Sequence, residues 1–178
     1  MDRCLKNDAY LVLLIPEPFS DQIYNLRMKY DPFLAKLPAE ITVLGSSGTG
    51  QIKSGQNIQK IIEAVDDKIT KIKAFEFNFK KMSKFPGSKI FYLEPEQRDS
   101  FDNIHTLLKS TSIEVKPIPY PYNPHCSIHS TSDLDSENKE ILIEMICKDK
   151  IKIDKLALIE FDFPPFELNI LKVWELTC

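Results

Sequence analysis

Two short runs in this chain carry residues that can move protons and hold anions. The later run is His125-Cys126-Ser127-Ile128, following Pro124. The earlier is Glu40-Ile41-Thr42-Val43, following Ala39. Each reads as a short strand in which polar and apolar residues alternate. Side chains alternate faces along a strand. His125 and Ser127 therefore share one face, with Cys126 and Ile128 behind them. Glu40 and Thr42 stand in the same way in front of Ile41 and Val43. Two such strands can present a matched set of polar groups to one cleft: an imidazole and a carboxylate, both titratable, and two hydroxyls.

The elements that must position these groups also repeat. Tyr10–Ile15 is an apolar strand ending at Pro16. Ser20 is placed to cap a helix carrying Ile23, Leu26 and Tyr30 at helical spacing. The strand Glu40–Leu44 follows, then a Gly/Ser loop. A helix from about Asn57 sets Ile58, Ile61, Ile62, Val65 and Ile69 on one stripe. The strand Ala74–Phe79 closes the first half. In the second half come a strand Lys89–Leu93, a helix Gln97–Lys109 with Phe101, Ile104, Leu107 and Leu108 on one face, and the motif strand at His125. Asp135 or Ser136 then caps a helix bearing Ile141, Leu142, Met145 and Ile146. Strands Lys155–Phe161 and Leu168–Trp174 finish the chain, with Pro164-Pro165 as the turn between them. The expectation is a bilobal α+β fold: two pseudo-symmetric, antiparallel-rich sheets with outer helices around a central cleft. It forms one domain over residues 1–178, with repeats at approximately 8–80 and 88–163 and a final strand at 167–176.

Composition limits the alternatives. The 178 residues are 43% hydrophobic and 28% charged, enough for one well-buried domain. A formal charge of −3 gives no global basic signal for nucleic acid. No apolar run approaches the roughly 20 residues needed to span a bilayer, and the mixed-charge start is unlike a signal peptide. Cys4, Cys126, Cys147 and Cys178 are widely spaced and suggest neither a zinc site nor a disulfide framework. A reduced, cytoplasmic setting is the default, as is a monomer, with no membrane partner.

The repeated motif and element order resemble the two-histidine (2H) phosphoesterases, which include the 2′-5′ RNA ligases and the cyclic phosphodiesterases of RNA ends. The resemblance runs from Tyr10 to Trp174. His125-Cys126-Ser127-Ile128 matches the second His-x-Thr/Ser-x motif residue by residue. Glu40-Ile41-Thr42-Val43 matches the first in its apolar and hydroxyl positions, with Glu40 in place of histidine. The resemblance implies acid/base cleavage of a phosphodiester without metal or other cofactor. One group activates the attacking oxygen and another protonates the leaving oxygen; imidazole suits both roles. His125 would be one of them and Glu40 its divergent partner. Thr42 and Ser127 would hold the phosphate oxygens. An RNA end or nucleotide with a 2′,3′-cyclic or 2′-5′ phosphodiester is the implied partner. Ligation and cleavage use the same groups by microscopic reversibility. Glu40 leaves three readings open: it replaces histidine in function, activity persists weakly, or the groove only binds its nucleotide or RNA end.

Other residues carry a sharper and a plainer reading. His129 shares a strand face with His125 but lies roughly 13 Å further on, which places it at the cleft rim or in solvent. His105 belongs to a helix surface or its packing. Gly45-Ser46-Ser47-Gly48-Thr49-Gly50-Gln51 approaches a nucleotide-binding P-loop but has Gln51 and Ile52 where Lys and Ser or Thr are needed. It reads instead as a loop bordering the cleft, with backbone N–H groups and Ser46 or Ser47 within reach of a phosphate. Lys68 to Lys89 is lysine-rich with Glu76 as its single acid: a solvated face, or an electrostatic rim that draws in RNA. Phe85 is a base-stacking ring or an ordinary hairpin tip. Tyr10 and Tyr92 border the groove or pack in the core. Trp174 is a packing residue.

Overall fold

A computed structural model describes residues 3–130, 134–135, 137–139, 150–162 and 167–177. Strand β1 (Ala9–Leu14) leads to helix α1 (Phe19–Tyr30), a 3-10 turn at Leu34–Lys36, strand β2 (Glu40–Leu44) and helix α2 (Ile58–Ile69). Short strands β3 (Phe75–Phe77), β4 (Ser83–Lys84) and β5 (Phe91–Leu93) precede helix α3 (Asp99–Lys109). Strands β6 (Cys126–His129), β7 (Ile151–Ile153), β8 (Lys155–Asp162) and β9 (Glu167–Glu175) complete the order. The expected α+β architecture with antiparallel sheets is present. Asn57 caps α2 by accepting from Lys60 N–H at 3.0 Å. Ser20 does not cap α1, which begins one residue earlier, after Pro18. Asp135 accepts from Asn138 N–H at 2.8 Å, a helix-capping bond. The helix body with Ile141, Leu142, Met145 and Ile146, and the Pro164-Pro165 turn, lie outside the described residues.

The strands form a four-stranded sheet in the order β2-β1-β8-β9, a three-stranded sheet β4-β5-β6 and a pair β3-β7. Every named pairing is antiparallel. The sequence repeats and the sheets do not coincide. β8, from the second half of the chain, hydrogen-bonds to β1, while β3 from the first half pairs with β7. Each half thus sends its last strand into the other half's territory.

The first sheet has two unlike faces. Ala9, Leu11, Leu13, Ile41, Val43, Leu156 and Leu158 are buried in the main core with Phe19 and Ile23 of α1 and Ile58, Ile61 and Val65 of α2. On the opposite face Val12, Ala157 and Ile159 form a second cluster, flanked by Tyr10, Leu14, Phe161 and Leu168. Residues directly opposite each other across strands share a face. Leu14 pairs with Glu40 and Val12 with Thr42, so the carboxylate and hydroxyl stand on this second face, away from the helices.

Candidate active site

The two motif strands are inner edges of different sheets. β2 ends the four-stranded sheet and β6 ends the three-stranded one, and the two edges approach each other. The Cys126 thiol lies against the Glu40 backbone. Both strands are bulged at matched places. Pairing on β2 jumps from Leu44 to Thr42 and on β6 from His129 to Ser127, in each case skipping the apolar residue after the hydroxyl. A bulge inserts one extra residue and re-aims the side chains beyond it. His129 shows the result: it is fully buried, not at the rim or in solvent. Its Nδ1 donates to the Tyr30 carbonyl at 2.7 Å, and it sits 3.9 Å from the Asp31 carboxylate.

His125 is part-buried, and its Nδ1 lies 2.8 Å from the Asn123 carbonyl oxygen. A carbonyl only accepts, so the proton sits on Nδ1 and Nε2 keeps its lone pair. Burial holds this imidazole below its ordinary value of 6.5, against smaller upward pulls from the Asn123 bond and Glu94. It is therefore neutral at pH 7. Asn123 is itself fixed. Its N–H donates to Ser47 Oγ at 2.9 Å, and its side-chain oxygen accepts from Arg98 at 3.3 Å.

Glu40 is shifted the other way. Burial raises its carboxyl from 4.5 to about 7, against the downward pull of Arg27 and a hydrogen bond from the Thr42 hydroxyl. That bond spans 3.1 Å. At neutral pH Glu40 is divided between acid and carboxylate. Thr42 and Ser127 occupy equivalent places on their bulged strands, beside Glu40 and His125 respectively.

An apolar cavity of about 710 Å³ opens beside His125. Phe85 stacks on Tyr92 with ring centroids 4.0 Å apart, and both rings present edge-to-face contacts to His125 at 5.1 and 5.5 Å. Ser46 and Ser47 line the same cavity. Tyr122 forms its far wall, stacked 3.9 Å from His105 and donating to the Thr42 carbonyl at 3.2 Å. His105 is thus a packing residue, bonded through Nδ1 to the Val43 carbonyl. Gly48 lies so close to this stacked pair that a Cβ would come within 2.7 Å of the His105 ring. The Gly48 and Gly50 N–H groups are spent on the Tyr120 and Ser46 carbonyls, and the Ser47 hydroxyl donates to the Asn123 carbonyl at 3.3 Å. Tyr10 does not border this cavity. By register the counterpart of Tyr92 is Val12, and Tyr10 lines a separate pocket of about 230 Å³ with Asn7, Asp8, Gln51 and Phe161. Within the lysine-rich stretch Lys80 pairs with Glu94 at 3.1 Å and Lys84 lies over the Phe91 ring.

The residue that sequence reading passed over is Arg27. It is 2% exposed and forks across the junction. Nε and Nη2 donate to the Ser127 carbonyl at 3.0 and 2.8 Å, and Nη1 to the Leu37 and Pro38 carbonyls at 3.0 and 2.9 Å. Its signal was present: a charge between Ile23 and Tyr30 on the buried stripe of α1.

The pattern of the 2′-5′ RNA ligase superfamily matches residues 15–172. The chain belongs to this superfamily. As a 2′-5′ RNA ligase superfamily member it has the expected structural neighbours. Escherichia coli LigT complexed with 3′-AMP aligns with a TM-score of 0.63 and 15% identity, over 97% of this chain and 99% of that one. LigT complexed with NADP+ gives 0.64 and 15%, over 97% and 98%. A Thermus thermophilus protein, TT0787, gives 0.63 and 10%, over 95% and 97%. Among curated proteins no sequence match is found. Among the described residues no group of three His, Cys, Asp or Glu side chains is arranged to hold a metal, and no helix is long and apolar enough to cross a membrane.

Proposed function

We propose that this protein is a phosphoesterase that opens 2′,3′-cyclic or 2′-5′ phosphodiesters of nucleotides or RNA ends, with His125 and Glu40 as its acid/base pair. The observation that carries this reading is the edge-to-edge approach of the two motif strands, which brings together an imidazole held through Nδ1 on the Asn123 carbonyl and a carboxyl that burial raises to about 7. Groups pushed to opposite states divide the roles of base and acid. In hydrolysis of a cyclic phosphate, Nε2 of His125 takes the proton of a water as its oxygen bonds to phosphorus. The bond to the leaving ribose oxygen breaks, and that oxygen receives the proton of Glu40. Ser127, and Thr42 once its hydroxyl turns from Glu40 to the substrate, hold the non-bridging oxygens. Exchange of one proton with solvent restores the pair, and no metal or other cofactor enters the scheme. The base of the nucleotide lies in the cavity against Phe85. Solved LigT structures in complex with 3′-AMP and NADP+ are in keeping with a nucleotide ligand.

Hydrolysis of 2′,3′-cyclic nucleotides without added metal, wild type beside His125→Ala, tests the reading. Turnover that falls at least ~100-fold in the variant is expected. Equal turnover in both would remove His125 from the mechanism.

A second reading has its own observation. The Thr42 hydroxyl is committed to Glu40, which leaves the phosphate one donor fewer, as suits a groove that binds a nucleotide or RNA end without chemistry. Nucleotide binding by an inert wild type, with turnover gained on Glu40→His, would select it.

A further inference from the structure

The acid/base scheme leaves one buried charge unused. Arg27 lies under the junction of β2 and β6, and among the described residues it forms no ion pair with a carboxylate. Its donors go instead to backbone carbonyls: Ser127 in the second motif, and Leu37 and Pro38 on the approach to the first. Nη2 also reaches the Cys126 sulfur at 3.6 Å. A buried guanidinium is costly to desolvate, and carbonyl dipoles offset that cost only in part. Its position gives a reason for its presence. One planar fork ties the second motif strand to the segment that leads into the first, and its charge stands behind the place where the phosphate would bind.

We propose that Arg27 is the positioning residue of this site: it fixes β6 against the start of β2 and supplies the fixed positive field in which Glu40 and a bound phosphate sit. This rests on the acid/base reading for its link to catalysis, but not for its link to Glu40. The groups around Glu40 are Arg27 from α1, Thr42 on its own strand, Tyr10 from β1, Tyr122 from the loop before β6 and Cys126 from β6. Burial raises Tyr10, Tyr122 and Cys126, so they are neutral at pH 7. Arg27 is then the only full charge in the set acting on the Glu40 carboxyl. Field and grip separate by substitution. Arg27→Met removes the charge and the fork; Arg27→Lys keeps the charge and loses the fork.

The experiment is a carboxyl carbon NMR titration of Glu40, assigned with Glu40→Gln, in wild type and both variants, beside pH profiles of kcat and KM on a 2′,3′-cyclic nucleotide. In Arg27→Met the Glu40 midpoint rises, and the alkaline limb of activity rises with it. In Arg27→Lys the midpoint stays near that of wild type while kcat falls about 10-fold or more with little change in KM. An unmoved midpoint in folded Arg27→Met overturns the proposal. If wild type has no turnover, the titration still decides: a shift supports the placement of Arg27 while the catalytic reading falls. Should Arg27→Met fail to fold, Arg27→Lys decides. Displaced amide resonances of Ser127 and Glu40 with an unchanged midpoint support the proposal, and unperturbed resonances overturn it.

Discussion

On the proposed acid/base reading, a neutral imidazole and a half-protonated carboxyl would make a site that works only in a narrow range of pH. His125 must be deprotonated to act as base, so activity falls as pH drops through its lowered value, below 6.5. Glu40 must be protonated to act as acid, so activity falls as pH rises through about 7. The expected kcat/KM profile is a bell with its maximum on the acid side of neutrality. A maximum above about pH 8 would refute this assignment of roles. The same shift bears on stability. A carboxyl raised on folding stabilises fully below 4.5, and that contribution is lost as pH rises through about 7. Glu40→Gln is therefore expected to match wild type in urea unfolding at about pH 4 and to exceed it by roughly 3 kcal/mol at about pH 8. An equal difference at both pH values would mean the effect is packing alone. Much of this site was legible in the residues themselves. Alternation along a strand is local, so the facing of Glu40 with Thr42 followed from spacing. The fate of His129 did not, because a bulge is set by the partner strand and leaves no mark in alternation.

The elements around the site hold it by a few buried bonds. At the end of α1, Asp31 accepts from Leu34 N–H at 3.0 Å through one oxygen and from Ser130 N–H at 2.9 Å through the other. Removing it leaves buried donors unsatisfied, so Asp31→Ala is expected to cost about 3 kcal/mol. Calorimetry showing less than about 1 kcal/mol would mean that α1 does not anchor β6 in this way. The loop after β2 depends on Gly48, at φ +86° and pressed on the His105–Tyr122 pair. At the other wall, Phe85→Ala is expected to raise KM severalfold for a cyclic nucleotide but not for base-free ribose cyclic phosphate. Equal increases for both would argue that Phe85 shapes His125 rather than stacking a base. Helices α2 and α3 were readable from their apolar stripes, since helical periodicity is written in consecutive residues. Arg27 interrupts just such a stripe, and its partner Ser127 lies in β6, far along the chain, beyond what periodicity can report.

At the scale of the whole molecule, order was legible and pairing was not. Strand and helix succession could be read along the chain, but the placement of β8 beside β1 and β3 beside β7 depends on contacts between distant segments. The outcome is a chain whose halves interlock through exchanged strands, yet meet at the site along two sheet edges. That junction has a chemical consequence. Cys126 is completely buried within it, and burial together with Glu40 pushes its thiol up to about 11 despite the opposing pull of Arg27. Alkylation requires both access and the thiolate, so this sulfur can react only when the edges part. Its labelling rate becomes a clock for lobe separation. With Cys147 and Cys178 replaced by serine, exposed Cys4 is expected to label at once and Cys126 orders of magnitude more slowly. A bound nucleotide bridging the two motifs would slow that clock further, while rapid labelling of both thiols would mean that the edges seldom close.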